Sequence, residues 1–129
     1  MTILDELALS AKKRTETAKS KISADRIKDM AYNLPKGSFE FENALKKEDI
    51  AFICECKKAS PSKGLIAPDF PYLKIAKEYE EAGADCISVL TEPSRFLGSD
   101  DYLKEIAENV SVPCIRKDFT VDEYMIYEA

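Results

Sequence analysis

Three short apolar runs limit what this chain can fold into. They begin near residues 51, 86 and 112 and span Ile50 to Lys57, Cys86 to Thr91 and Val112 to Lys117. Each is too short for an ordinary helix, and each is followed by a loop and then by a segment with helical spacing. The strand starts recur every 26–35 residues. A connection of that length containing a helix joins parallel neighbours, so the pattern predicts an α/β fold built on a parallel sheet.

The intervening segments support this reading. Residues 70–82 carry Leu73, Ile75, Ala76 and Tyr79 at helical spacing and stop at Gly83, a residue suited to ending a helix. Residues 101–110 repeat the pattern with Leu103, Ile106 and Ala107, and a third helix begins near Val121. Ahead of the first strand, residues 3–31 read as helices. Ile3, Leu4, Leu7 and Leu9 supply an early apolar stripe, and Ser23 makes a capping start for a second helix through Met30. Pro35 and Gly37 then break the pattern, and Phe39 to Leu45 add a short helical turn. Three βα units do not close a barrel, which needs eight strands and about 250 residues. A three-stranded parallel sheet alone leaves edges and faces bare, and residues 124–129 show neither a cap nor a following strand. The expectation is a truncated piece of something larger.

Composition narrows the function classes. With 129 residues and 45% hydrophobic content, the chain supports one core. No run approaches the ~18 apolar residues of a membrane span, and the N-terminal MTILDELALSAKKR lacks an apolar signal core, so a cytoplasmic protein is expected. A net charge of -5 argues against nucleic acid as a partner. Histidine is absent, which removes histidine-based acid–base chemistry and histidine-ligated metals. The four cysteines (Cys54, Cys56, Cys86 and Cys114) lack paired zinc-knuckle spacing and are expected to be reduced, buried strand residues, with no metal site.

In βα architectures, functional groups gather where strands end. Those positions hold Glu55 and Lys57, the stretch Leu90 to Glu92, and Lys117 with Asp118. Glu55 and Lys57 point to one side of their strand and Cys54 and Cys56 to the other; Lys117 shares a face with Ile115. Two lysines and a glutamate at one rim suit an anionic, phosphorylated substrate, although charged strand ends are equally compatible with plain solvation. The segment Ser60-Pro61-Ser62-Lys63-Gly64 reads either as a substrate-closing loop or as an ordinary βα turn. Phe96 and Phe119 follow strand ends and either stack on an aromatic substrate or anchor loops.

These residues, in this order, resemble a known family. Glu55 to Gly64 (ECKKASPSKG) is similar to the E-x-K-[RK]-x-S-P-S signature of indole-3-glycerol-phosphate synthases. Ile87 to Glu92, Phe96 to Ser99 and Val112 to Phe119 resemble that family's second strand, phenylalanine loop and third strand. The resemblance covers nearly the whole chain. It implies a partial (βα)8 TIM barrel with residues 1–46 as an N-terminal helical extension and 47–129 as the first three βα units. It also implies decarboxylating ring closure of 1-(2-carboxyphenylamino)-1-deoxyribulose 5-phosphate to indole-3-glycerol phosphate, a step of tryptophan biosynthesis needing no cofactor. Lys117 then matches the general-acid lysine, Lys57 a second active-site lysine and Glu55 the glutamate that positions them. Ser60 and Pro61 match first-loop binding positions, and Leu90, Phe96 and Phe119 match the apolar pocket around the anthranilate ring. The implied partner is a small phosphorylated substrate, with no nucleic acid and no membrane. Family residues on later strands have no counterpart here, so the chain alone is expected to be inactive and to self-associate or to need a C-terminal half. Another phosphate-binding barrel enzyme and a non-catalytic, self-assembling fragment remain the alternatives.

Overall fold

The computed structural model describes residues 1–129. The chain divides into two compact units, one made of Met1–Gly37 with Phe119–Ala129 and the other of Ser38–Asp118.

The first unit is helical. Helix α1 (Ile3–Lys21) starts in a capping box, in which Thr2 and Asp5 satisfy each other's backbone amides. Its buried residues are Leu7, Ala11 and Thr15, four apart, whereas Ile3, Leu4 and Leu9 are exposed. The buried stripe is therefore shifted from the one marked by the largest aliphatic side chains, because spacing selects the face and residue size does not. Helix α2 (Ala24–Tyr32) begins at Ser23, whose hydroxyl accepts from the Arg26 amide as its capping pattern predicts. Helix α6 (Glu123–Glu128) is capped by Asp122, which also receives Lys19 at 2.8 Å. The Tyr124 hydroxyl donates to the Ile22 carbonyl at 2.8 Å, fixing α6 to the end of α1.

The second unit contains the sheet. Strands β1 (Ile53–Cys56), β4 (Cys86–Leu90) and β5 (Cys114–Lys117) lie in the order β1-β4-β5, with both pairings parallel. Helices α4 (Tyr72–Glu81) and α5 (Asp100–Asn109) connect them, and a short α3 (Glu40–Ala44) precedes β1. The core consists of Cys56, Ala76, Ile87, Val89 and Ile106, flanked by an aromatic group of Phe70, Tyr72 and Tyr102. One face of every strand thus packs against helices. Gly83 follows α4 with φ 95°, the left-handed conformation that the helix stop requires.

Two sequence expectations change in detail. Cys56 and Cys86 are buried, but Cys54 and Cys114 are only half-buried. All four thiols are unpaired, and burial pushes that of Cys56 up to about 12. The segment read as a loop after β1 is a small antiparallel hairpin of β2 (Ala59–Ser60) and β3 (Gly64–Leu65). Pro61 and the left-handed Gly64 (φ 63°) provide its turn chemistry.

The starts of β1 and β4 are joined by Asp85. Its carboxylate accepts from the Phe52 amide at 2.7 Å and from Lys47 at 3.0 and 3.1 Å. The Phe52 amide, followed by Lys47, holds this carboxyl below its ordinary value. A folded pKa below the unfolded one gives a contribution that is full above the unfolded value and lost as pH falls through the folded one. Carboxyl chemical-shift titration should therefore give a midpoint for Asp85 below that of a model aspartate, 3.8. Asp85→Asn should lower the urea midpoint at pH 7 and shrink the loss of stability on acidification. An unchanged acid profile in the variant would remove Asp85 from this role.

Candidate functional site

The parallel register determines which side chains meet. Glu55 pairs with Ser88, and Ser88 with Ile115, forming one cross-strand row on the face opposite the core. The next row on that face joins Leu90 to Lys117, and Lys57 lies one residue past the last β1–β4 pair, level with Leu90. Glu55, Lys57, Leu90 and Lys117 therefore share one face at the carboxyl ends of three adjacent strands. Leu90 is buried, Glu55 and Lys57 are half-buried and Lys117 is exposed.

Glu55 is oriented at both ends of its carboxylate. The Ser88 hydroxyl donates to Oε2 at 3.0 Å, and Lys57 Nζ approaches Oε1 at 3.3 Å. The Glu55 carbonyl accepts from the Tyr79 hydroxyl at 2.8 Å, which ties α4 to the same strand end. A carboxylate held by a hydroxyl and paired with one ammonium, with a second ammonium on the same rim, can bind an anion and donate protons.

Thr91 directly follows β4, is 2% exposed and hydrogen-bonds to three consecutive residues of and just beyond β5. Its amide donates to the Lys117 carbonyl at 3.0 Å. Its hydroxyl donates to Asp118 Oδ2 at 2.7 Å and accepts from Arg116 Nε at 3.3 Å. The Arg116 guanidinium continues to Asp100, at the start of α5, at 3.0 Å.

Glu92 is fully buried and serves the following loop. One oxygen accepts from the Ser94 amide and hydroxyl, and the other from the Arg95 and Phe96 amides, all within 3.0 Å. Burial raises its pKa, but the Ser94 hydroxyl and these three amides outweigh it and hold the carboxyl below its usual range. The loop closes where the Gly98 amide donates to the Glu92 carbonyl at 2.8 Å. A Cβ on Gly98 would lie 2.3 Å from the Leu90 carbonyl oxygen, so only glycine fits beneath the strand end. Leu97 takes a left-handed φ of 53° to enter this turn. Phe96, half-buried, is carried by the loop.

Ser60 and Pro61 stand on the β2–β3 hairpin. Ser60 is buried and its hydroxyl accepts from the Lys63 amide at 3.1 Å, so it organises the turn, while Pro61 is exposed. Phe119 is half-buried and belongs to the helical unit rather than to the unit holding the other candidates. No group of three or more Cys, Asp or Glu side chains is arranged to hold a metal ion, and no helix is long and apolar enough to cross a membrane. The sequence pattern did not single out Ser88 or Arg116, and it placed Thr91 and Glu92 at a strand end without assigning either a role. Ser88 carried a signal, since it is the one polar residue within the run Cys86–Leu90. Thr91 and Glu92 read as ordinary polar residues ending a strand.

The fold and this rim define a class: an α/β protein that gathers acid–base side chains at the carboxyl ends of parallel strands. The description "Indole-3-glycerol phosphate synthase" belongs to the family model that matches residues 4–129. The synthase of that name from Ruminiclostridium cellulolyticum is 57% identical over 128 residues, covering 98% of this chain and 49% of that protein. Those from Endomicrobium trichonymphae and Lacticaseibacillus paracasei are 53% and 52% identical, with 98% of this chain and 50% and 49% of theirs covered. The chain belongs to the indole-3-glycerol phosphate synthase family, and it spans about half the length of these curated relatives.

Two variants test how the β4 end is built. In Glu92→Gln the amide group turns N–H bonds toward two donors, so unfolding stability should fall by about 2 kcal/mol or more. Gly98→Ala should cost about 1–3 kcal/mol, because the clash is with backbone rather than with a flexible side chain. Urea unfolding measures both, and an unchanged midpoint in either would contradict the account of this loop.

Proposed function

We propose that this chain supplies the amino-terminal part of an indole-3-glycerol-phosphate synthase site. In this reading residues 1–46 are the helical extension, and 47–129 are the first three βα units of a (βα)8 barrel. The observation that carries the proposal is the single open face on which Glu55, Lys57, Leu90 and Lys117 stand at adjacent strand ends, in a chain that belongs to that family.

The substrate is a small phosphorylated molecule, 1-(2-carboxyphenylamino)-1-deoxyribulose 5-phosphate. Ring closure forms a carbon–carbon bond between the aromatic ring and the substrate carbonyl carbon, and carbon dioxide and water leave. Lys117 donates a proton to the carbonyl oxygen as that bond forms, because the developing oxyanion needs an acid beside it. Lys57 holds anionic substrate groups, and Glu55, fixed by Ser88, orients the lysines. Leu90 and Phe96 give the anthranilate ring apolar walls, and Ser60 and Pro61 contribute from the first loop. Residues beyond the first three βα units complete the phosphate site, since phosphate groups in such barrels bind at loops after later strands. No cofactor takes part.

Product indole fluorescence tests this directly. The chain alone should show no turnover, and the chain combined with the remaining length of its relatives should be active. In the active assembly, Lys117→Ala should lower kcat by about 100-fold or more, the range for a general acid. Turnover by the isolated chain would overturn the division of the site, and full activity in Lys117→Ala would overturn the assignment of the acid. Exposed Ile53 and Ile115 on the open face favour a second reading, self-association of the chain. Sedimentation that rises with concentration would support it, and a monomer at all concentrations would exclude it.

A further inference from the structure

We propose that Thr91 is the positioning residue for Lys117, the strand-end lysine beside it on β5. The inference rests on the proposed role of Lys117 as the acid, and it adds a residue to which that reading gave no part. Lys117 is the last residue of β5 and is exposed, so packing around its own side chain does little to fix where its Cα stands. A strand-end residue on an outer strand can only be held by its neighbour, and here the neighbour is the end of β4.

Thr91 supplies that hold at three successive positions. Its amide fixes the Lys117 carbonyl, and its hydroxyl bridges Arg116 on one side of Lys117 and Asp118 on the other. One hydroxyl thus acts as donor and acceptor at once, which uses its proton and a lone pair in opposite directions. Thr91 is almost fully buried, so water does not replace these partners without opening the strand end. Arg116, itself only 8% exposed, carries the connection on to Asp100 at the start of α5. Lys117 is therefore held by its own backbone carbonyl and flanked on both sides by residues whose side chains are tied to the same threonine. Misplacing an acid by about 1 Å is enough to lose roughly two orders of magnitude in rate.

The test uses the active full-length assembly and the variants Thr91→Val, Thr91→Ser and Lys117→Ala. Valine keeps the shape of threonine and removes the hydroxyl, and serine restores it. Thr91→Val should lower kcat about 10- to 100-fold with KM changed less than threefold. Thr91→Ser should recover most of the loss. Adding Thr91→Val to Lys117→Ala should produce little further loss, since residues acting as one unit are not additive. Amide exchange in the 129-residue chain gives a second readout that does not depend on turnover. The residue-91 amide, whose acceptor is the Lys117 carbonyl, should exchange at least tenfold faster in Thr91→Val while the amides of Ile87 and Val89 keep their protection.

The outcomes separate the two ideas. Loss of activity in Lys117→Ala with none in Thr91→Val overturns the positioning role and leaves the acid assignment standing. Faster exchange at residue 91 with full activity in Lys117→Ala overturns the acid assignment, and the positioning role falls with it. Losses that multiply in the double variant show that Thr91 acts on something other than Lys117. If Thr91→Val does not fold, Asp118→Ala removes the carboxylate that accepts the hydroxyl. The same kcat-selective loss is then expected, and normal kcat with a normal fold would overturn the proposal.

Discussion

Two consecutive polar residues buried at the end of β4 must find hydrogen-bond partners, and much of the candidate site is arranged by how they do so. A buried carboxylate is tolerated only when fully hydrogen-bonded, and Glu92 achieves this by drawing three amides and a hydroxyl of the following loop onto its two oxygens. Thr91, one residue earlier, turns the other way and satisfies itself on β5. Alternation along an extended chain makes this possible, since adjacent side chains leave a strand in opposite directions. The central strand thereby organises the loop that follows it and the strand beside it. The close approach of Gly98 to the Leu90 carbonyl follows from the same demand, because a loop that wraps onto Glu92 must pass directly beneath the strand it left.

The sheet divides its labour by face. On one face Cys56, Ile87 and Val89 pack on α4 and α5 and supply the apolar burial that stabilises the unit. On the other, Ser88 takes a position at which an apolar residue would have served packing equally well, and it holds Glu55 instead. Lys57 and Lys117 lie on the two outer strands with β4 between them, so their backbones stand two strand spacings apart, about 10 Å. That separation keeps two ammonium groups from repelling one another strongly, yet both long side chains can reach a molecule lying over β4. Buried Leu90, directly between them, gives such a molecule an apolar floor.

The parallel sheet was legible in the sequence because each strand is an apolar run with turn chemistry after it, and the helix stops at Gly83 and starts at Ser23 follow from residue type. The rim of Glu55, Lys57 and Lys117 was legible for the same reason, since alternation assigns faces once strands are placed. The hairpin at 59–65 was not, because its strands of two residues carry no period to read. Neither was the buried stripe of α1, where Ala11 and Thr15 lie inside and larger aliphatic residues lie outside. The Thr91–Glu92 pair was hidden for a deeper reason. A polar residue at a strand end is ordinarily solvated, and whether it is buried depends on a loop returning over it, which is a tertiary event without a local signature.

Under the proposed chemistry, the exposure of Lys117 has a physical consequence. An ammonium in water is screened, and its effect on a developing oxyanion is a fraction of what it exerts where water is excluded. The three strands provide orientation: Ser88 and Lys57 fix Glu55, and Thr91 fixes the segment bearing Lys117. They do not provide enclosure, since Ile53 and Ile115 on the same face are also exposed. Orientation and enclosure are separable contributions to catalysis, the first made by hydrogen bonds within a few strands and the second by walls on every side. The division fits a chain spanning about half the length of its relatives, because hydrogen bonds between adjacent strands form locally, whereas a dry cavity needs walls on every side.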